Sequence, residues 1–360
     1  MSDAVREAEE REVREFALRC PVPLPPGDAV LLGHGSCGKL TQQLIRDLFV
    51  PALGGDPELS RLGDAAVVEL PGGERLAFTT DAFVVQPAFF PGSNIGELAV
   101  NGTVNDLAMM GAEPLALSAA LILEEGLPIQ RLGGVIAAMA DACERAGVRL
   151  VTGDTKVVER GAADGLYITT SGIGLVPDGV DVGPERCRPG DRIIVTGPVG
   201  SHGVAVMSRR AGIDFEGDLR SDTAPLTSVV RAMLAAGEVH CLRDATRGGL
   251  ASVLNELAEA SDVSMTLAEA DVPVLPPVKA ACEMLGLDPL YVANEGVAVA
   301  VVAADDEEAV LAAARADPLG VHAASIGEVG DPPVAVHLRT GLGATRPLIM
   351  LSGDQLPRIC

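Results

Sequence analysis

The sequence predicts an α/β protein of two domains followed by a tail, and three observations predict it. Short apolar runs alternate with amphipathic stretches along most of the 360 residues. Three glycine-rich turns, at 33–39, 197–203 and 243–249, each open an apolar stretch of helical spacing. Between the first turn and the other two, Pro177 to Gly190 is rich in proline, glycine and charge, which marks a boundary near 177–189. The expected domains are therefore 29–176 and 190–339, with an extension and linker over 1–28 and a mobile tail over 340–360.

Composition limits the functions open to such a chain. A net charge of −23, no Trp and 2% aromatic residues remove the basic footprint and the stacking platforms of nucleic-acid binders. No apolar run approaches the roughly 18 residues that span a bilayer, and no signal peptide opens the chain, so a cytoplasmic protein away from membranes is expected. The seven cysteines are odd in number, spread out and never in a Cys-x-x-Cys pair, which argues against a disulfide framework or a zinc site. Among the 27 basic residues only Lys39, Lys156 and Lys279 are lysine. A position that stays lysine where arginine serves everywhere else points to a need for a compact or titratable amine, although genome composition gives the same bias.

Residues 1–19 alternate acids and bases around Val5, Val13, Phe16 and Leu18 as a surface helix, which the proline-rich Pro21 to Gly27 ends. Ala29 to Leu32 then reads as a strand, Gly33-His34-Gly35-Ser36-Cys37-Gly38-Lys39 as a phosphate-type loop, and Leu40 to Phe49 as a helix. The loop nearly fits the P-loop pattern, but Leu40 stands where a magnesium-binding hydroxyl belongs. Carboxylates follow in similar settings: Asp64 before the strand Val67 to Leu70, Asp81 at the end of another strand, and Asp106 beside Asn105 in the helical stretch Ile95 to Met110. Each alone suits a cap or a turn. Together with Asp154 and Asp244 they could supply the hard oxygen ligands that magnesium needs when it bridges phosphates.

Leu115 to Leu123 reads as a strand, Ile129 to Ala146 as a helix, and Val148 to Thr152 as a strand running into Gly153-Asp154-Thr155-Lys156, a strand-end cluster typical of α/β sites. Tyr167 to Val176 closes the first domain. The second begins with a strand near 191–197 and a glycine turn in which His202 reads as a turn or cap residue. The turn Arg243 to Gly249 opens a helix over 250–260, Asn294-Glu295-Gly296 precedes the strand 297–302, and a helix near 305–316 with strands near 323–329 and 334–338 completes it. The chain ends in Pro357-Arg358-Ile359-Cys360, a thiol on a free end. About fifteen extended residues at roughly 3.3–3.6 Å each could carry that thiol some 50 Å, far enough to enter a cleft elsewhere.

These pieces, taken in order, resemble one family. His34-Gly-Ser-Cys-Gly-Lys39, Gly63-Asp-Ala-Ala66, Phe78-Thr-Thr-Asp81, Asn105-Asp106, Gly153-Asp-Thr-Lys-Val-Val158, Asp244-Ala-Thr-Arg-Gly-Gly249, Asn294-Glu-Gly296 and the terminal Pro-Arg-Ile-Cys resemble the HypE family of hydrogenase maturation factors. That family belongs to the ATP-using superfamily of aminoimidazole ribonucleotide synthetase and selenophosphate synthetase, and the resemblance runs from about residue 29 to 360. One departure is Cys37, which stands where the family's loop usually has glycine; a positive φ there would strain any other residue.

The resemblance implies the two-domain fold of aminoimidazole ribonucleotide synthetase, a homodimer, ATP across the cleft, and Mg2+ on Asp64, Asp81, Asp106 and Asp244. It implies nucleotide contacts from His34, Gly35, Ser36, Gly38, Lys39, Asp81, Asn105 and Asp154. It further implies that Cys360 receives a carbamoyl group from the carbamoyltransferase HypF, that the chain dehydrates this group to a thiocyanate, and that the cyanide passes to iron on a HypC–HypD scaffold. Glu295 and Lys156 are the candidate bases for that dehydration. A selenophosphate synthetase-like enzyme, suggested by a cysteine in the glycine loop, and a passive thiol carrier are the alternatives.

Overall fold

A computed structural model of the chain describes residues 29–35, 38–213, 219–351 and 358–360. The helix and linker expected in 1–28, together with Ser36, Cys37 and Pro357, lie outside them. Residues 29–32 do not form the expected strand. Val30, Leu31 and Leu32 are exposed with no strand beside them among the described residues, and Leu32–Gly35 is a 3-10 turn. Helix α1 (Lys39–Leu44) follows, continuing through a π turn to Ala52.

The first domain holds β1 (Ala66–Glu69), β2 (Arg75–Phe83), the short β3 (Phe89–Phe90) and β4 (Ser93–Asn94), α2 (Ile95–Met109), β5 (Glu113–Glu124), α3 (Ile129–Ala146), β6 (Arg149–Val158) and β7 (Leu166–Val176). Its main sheet runs β1-β2-β7-β5-β6, antiparallel except for the β5/β6 pair. Asn94 caps α2 by accepting the Gly96 N–H at 2.8 Å. Because α2 is apolar on nearly every side, it is buried along almost its whole length. It lies against β2 and β7, and α3 packs beside it.

Alternation along β2 turns Ala77, Thr79 and Phe83 toward the helices and Phe78, Thr80 and Ala82 away. Among the described residues, no second layer covers the outward face. Val68, Phe78, Ile122 and Leu175 stand exposed on it.

Two strand ends differ from expectation, and both matter for the site. Asp81 lies inside β2, two residues before its end, and Gly153-Asp154-Thr155-Lys156 lies inside β6. The strand continues because Gly153 needs no room for a side chain: a Cβ there would lie 2.4 Å from the Ala119 carbonyl, and parallel pairing with β5 runs on to Val158.

The second domain holds β8 (Arg192–Val195), α4 (Ser201–Ala211), α5 (Thr227–Ala236), β9 (Val239–Asp244), α6 (Gly249–Ser261), β10 (Ser264–Ala268), α7 (Pro276–Leu285), β11 (Ala298–Val302), α8 (Glu307–Ala316), β12 (Ala324–Gly330), β13 (Ala335–Arg339) and β14 (Thr345–Pro347). The sheet runs β14-β13-β10-β12-β8-β11-β9. Its unbroken apolar strand β11 is buried at every residue, with α6 packed in the core on one side and α5 with α8 on the other.

The tail is not loose from residue 340. Thr345–Pro347 pair with β13, Leu348 and Met350 are buried, and the last three residues are seated between the domains. Main-chain hydrogen bonds fix that seat. Val84 N–H donates to the Cys360 carbonyl at 3.1 Å and Gln86 N–H to that of Arg358 at 3.2 Å, in antiparallel register. Ile359 and Cys360 join a core that contains Phe83 and Phe90 from the first domain and Val204, Val292 and Ala293 from the second.

Candidate active site

Three carboxylates meet where the domains join. Asp64 precedes β1, Asp106 projects from α2 and Asp244 ends β9, and their oxygens lie within 4.8 Å of one another. Thr79 Oγ1 ties two of them together, donating to the Asp64 carbonyl at 3.0 Å or to Asp106 Oδ2 at 2.8 Å. Arg243, one residue before Asp244, reaches Asp64 Oδ1 at 3.0 Å and Glu256 at 3.0 Å.

The electrostatics follow from crowding like charges in a dry place. Burial pushes Asp64 up to about 6, with Glu256 and Asp81 adding to the rise and Arg243 opposing it. Burial raises Asp106 and Asp244 well above the ordinary range; Asp244 leads the acids that add to the shift of Asp106, and Asp64 those that add to the shift of Asp244. Burial also raises Asp81, while Arg247 counters it. Oxygen donors at this separation, repelling one another in the absence of a cation, fit Mg2+. Asp81 adjoins the three without being one of the converging set.

Glu295 belongs to the same buried region. Its Oε1 has no hydrogen-bond partner among the described residues, and burial, then Asp244, Asp81 and Asp222, hold its carboxyl well above the usual range. Asn105, expected to touch the nucleotide, is occupied differently. Its Nδ2 donates to the Ala224 and Glu295 carbonyls at 3.0 and 3.3 Å and its Oδ1 accepts the Leu226 N–H at 2.8 Å, so it ties α2 to the loop before α5.

Arg247 links the start of the glycine loop to this region. Arg247 Nη1 donates to the Gly35 carbonyl at 3.0 Å, which sets the loop near Asp81. His34 is buried, with Nδ1 accepting the Leu31 N–H at 2.9 Å. Gly38 caps α1, and Lys39 opens it beside a cavity of about 560 Å³ shared with Gln42, Arg46 and Asn255. Ser36 lies outside the described residues.

Asp154 and Lys156 are not brought to Glu295 within the chain. They pair with each other at 2.7 Å on the exposed edge strand β6, where the ion pair lowers the pKa of Asp154. Asp154 also borders an apolar cavity of about 810 Å³ between β5, β6 and α3, lined by Leu121, Ile136, Met139 and Leu150.

The sequence reading missed the residues that hold the tail. His202, fully buried, places Nε2 2.8 Å from the Ile359 carbonyl and Nδ1 2.8 Å from Ser221 Oγ. Arg210 donates to the Arg358 carbonyl at 2.8 Å and the Gln86 carbonyl at 2.9 Å. Arg358 donates to the Val84 carbonyl at 3.1 Å and Asp164 at 2.7 Å. The glycine turn around His202 was the only signal for any of these.

Comparison with known proteins agrees with this architecture. The sequence model described as the AIR synthase related protein N-terminal domain matches residues 62–176, and that of the C-terminal domain matches 188–338. The carbamoyl dehydratase HypE of Cupriavidus necator is 53% identical over 332 residues, covering 91% of this chain and 94% of that protein. The one from Escherichia coli K12 is 44% identical over 335 residues, covering 92% and 99%. A crystal structure of HypE in complex with ATP superposes with a TM-score of 0.78 at 46% identity, covering 92% of this chain and all of that one. That of a HypE–HypF complex superposes at 0.81 with 42% identity, covering 86% and 99%. A buried acid cluster at the junction of two AIR synthase-type domains, with a terminal cysteine seated between them, accords with these matches, and the chain belongs to the carbamoyl dehydratase HypE family.

Proposed function

We propose that the chain uses Mg-ATP to dehydrate an S-carbamoyl group on its own Cys360 to a thiocyanate, which supplies the cyanide ligand for the iron of a [NiFe] hydrogenase. The observation that carries this reading is the seat of Ile359 and Cys360 between the domains, joined to Glu295 through consecutive residues: Ser221 holds His202 against the tail, and Asp222 holds the Glu295 backbone.

The chemistry asks for such an arrangement. A carbamoyl oxygen does not leave as oxide near neutral pH, and transfer of a phosphoryl group to it makes phosphate the leaving group. The ATP phosphates would lie against His34, Gly35, Ser36, Gly38 and Lys39, with Asp154 and its apolar cavity taking the rest of the nucleotide. Asp64, Asp106 and Asp244, with Asp81 beside them, would hold Mg2+, whose charge offsets that of the phosphates. Glu295 removes a nitrogen proton: a carboxyl raised by burial is the stronger base once ionised. Lys156 stands on the open sheet face, in the register row Lys156-Ile122-Tyr167, and Arg358 lies over the Tyr167 ring. A role as base would have to be played from there.

The buried Cys360 must leave its seat to be loaded, and HypF, seen in complex with a relative, is the loading partner this reading names. HypC and HypD would receive the cyanide in the cytoplasm. The uncovered sheet face with Val68, Phe78, Ile122 and Leu175 would pair with a second copy as a homodimer. The test is mass spectrometry of the C-terminal peptide after carbamoylation. Adding Mg-ATP is expected to remove one water and form ADP and phosphate, and an unchanged peptide mass rejects the reading.

A further inference from the structure

Two cysteines far apart in the sequence meet where the domain boundary lies against β9, and the chemistry so far gives them no task. Cys187 follows the surface turn Pro184–Arg186, and Cys241 lies inside β9. Both belong to one buried core, neither is in a disulfide, and their side chains hydrogen-bond each other. The groups around them fix that contact. Gly183 N–H donates to the His240 carbonyl at 3.1 Å. The Arg188 N–H and His240 Nδ1 both bond Asp191 Oδ2, each at 2.8 Å, so the residues beside the two thiols share one carboxylate oxygen. Cys187 N–H donates to Ser261 Oγ at 3.1 Å and Ser261 Oγ–H to the Pro184 carbonyl at 2.7 Å, which pins the turn to the end of α6.

The two thiols are unequal. Cys187 is 5% exposed beside the surface turn and Cys241 is fully buried, so an oxidant from solvent meets Cys187 first. The hydrogen bond from Cys241 pulls the Cys187 thiol below its ordinary value, against burial and with help from Ser261, and the same bond pushes Cys241 well above it. An acidic sulfur near the surface with a second thiol in contact behind it is the arrangement of an attacking and a resolving cysteine.

We propose that Cys187 and Cys241 are a redox dithiol that hydrogen peroxide converts to a disulfide, and that this bond weakens the hold of the acid cluster on Mg-ATP. The Cys187 thiolate attacks one peroxide oxygen: an S–O bond forms, the O–O bond breaks, and the hydroxide that leaves takes up the proton Cys187 has lost. The Cys241 sulfur then attacks the Cys187 sulfur: an S–S bond forms, the S–O bond breaks, and the second hydroxide leaves as water with the Cys241 proton. The two thiols give up two electrons and the peroxide gains them. The effect on Mg-ATP rests on the reading of Asp64, Asp106 and Asp244 as its metal ligands. A disulfide draws its sulfurs to about 2.05 Å, inside any hydrogen-bond distance, so β9 and the boundary turn must shift toward each other. Two residues past Cys241, Arg243 bonds Asp64, and Asp244 is next in the chain, so the shift reaches oxygens that now lie within 4.8 Å of one another.

The test treats the reduced full-length chain with hydrogen peroxide, maps its thiols by proteolysis and mass spectrometry, and reads Mg-ATP affinity by isothermal titration. A linked pair of peptides carrying Cys187 and Cys241, lighter by two hydrogens than the separate peptides, is expected to form and to disappear with dithiothreitol. The Kd for Mg-ATP is expected to rise about tenfold with the link and to return on reduction. Cys187→Ser and Cys241→Ala are each expected to keep their affinity through the treatment, which separates this pair from oxidation of Cys360. Absence of the link, with both thiols still free or Cys187 carrying only oxygen, overturns the dithiol. A complete link with unchanged Mg-ATP affinity, or the same loss of affinity in Cys187→Ser, overturns its coupling to the acid cluster. Reduced wild-type protein that takes up no Mg-ATP overturns the proposed function instead, and the linked peptides still decide the dithiol.

Discussion

His202 Nε2 and the Ile359 carbonyl oxygen lie 2.8 Å apart in a fully buried contact, edge-on to Phe90. Burial lowers the imidazole to about 4, so the ring is neutral near pH 7 and its single proton goes to the tail, with Ser221 donating to the other nitrogen. A net hydrogen bond is worth about 0.5–1.5 kcal/mol, or roughly three- to tenfold in the docked population. His202→Ala is therefore expected to speed alkylation of Cys360 by about that factor while the buried Cys143 and Cys282 stay protected. His202→Gln, which can still donate, should restore much of the protection. Labelling at the wild-type rate in the alanine variant would show that this contact does not hold the tail.

The same residue gives the fold an acid-sensitive component. Its pKa is about 4 in the folded chain against 6.5 for a free imidazole, so the neutral form is favoured on folding. The contribution is complete above the unfolded value and is lost as pH falls from 6.5 through 4. The difference in unfolding free energy between wild type and His202→Gln, measured with denaturant, should shrink by about 3 kcal/mol between pH 7 and pH 4. A constant difference would mean that the ring is not buried neutral.

Removing one acid from the cluster separates nucleotide chemistry from loading. Asp81→Asn is expected to weaken Mg-ATP use by about tenfold or more and leave carbamoylation of Cys360 intact, because Asp81 lies with the acids and not at the tail. Isothermal titration with Mg-ATP and the mass of the C-terminal peptide read the two separately. Equal loss of both would indicate damage to the fold.

The bare sheet face predicts a dimer that one charge can split. Phe78 is 48% exposed at the middle of that face, paired in register with Ile173. Phe78→Glu should halve the mass seen by light scattering on a size-exclusion column without altering the circular dichroism. An unchanged mass would remove this face as the interface.

Much of the frame was readable from sequence because its signals are local. Ile129–Ala146 is bounded where its helical spacing put it, and the turns before α4 and α6 open helices as their glycines imply. Helix α5, with Val229, Val230 and Met233 buried, carried the same helical spacing and was overlooked, as was α7 behind Pro276 and Pro277. Asp81 and Gly153 to Lys156 were misplaced at strand ends because polar residues look like a terminus. In the sheet, pairing with β7 and β5 carries the strands past them. The carboxylates Asp64, Asp106 and Asp244 were legible as types in motifs, but their convergence needed strands and a helix from two domains. The tail seat left little signature because the tail offers mostly main-chain oxygens, which every residue has, and the side chains that meet the tail, His202, Arg210 and Asp164, are far apart in the sequence.

That last property bears on the direction of traffic. The Val84 and Gln86 N–H groups and the side chains of His202 and Arg210 all bond main-chain oxygens of the last three residues. These four bonds take no part in telling one cargo from another: whatever group the sulfur carries, they meet the same three main-chain oxygens. A clasp that binds two forms equally cannot favour one over the other. What sends the finished end outward must then come from beyond these bonds, either from the fit of the altered group among Phe83, Phe90 and Val292 or from a receiving protein that competes for the end.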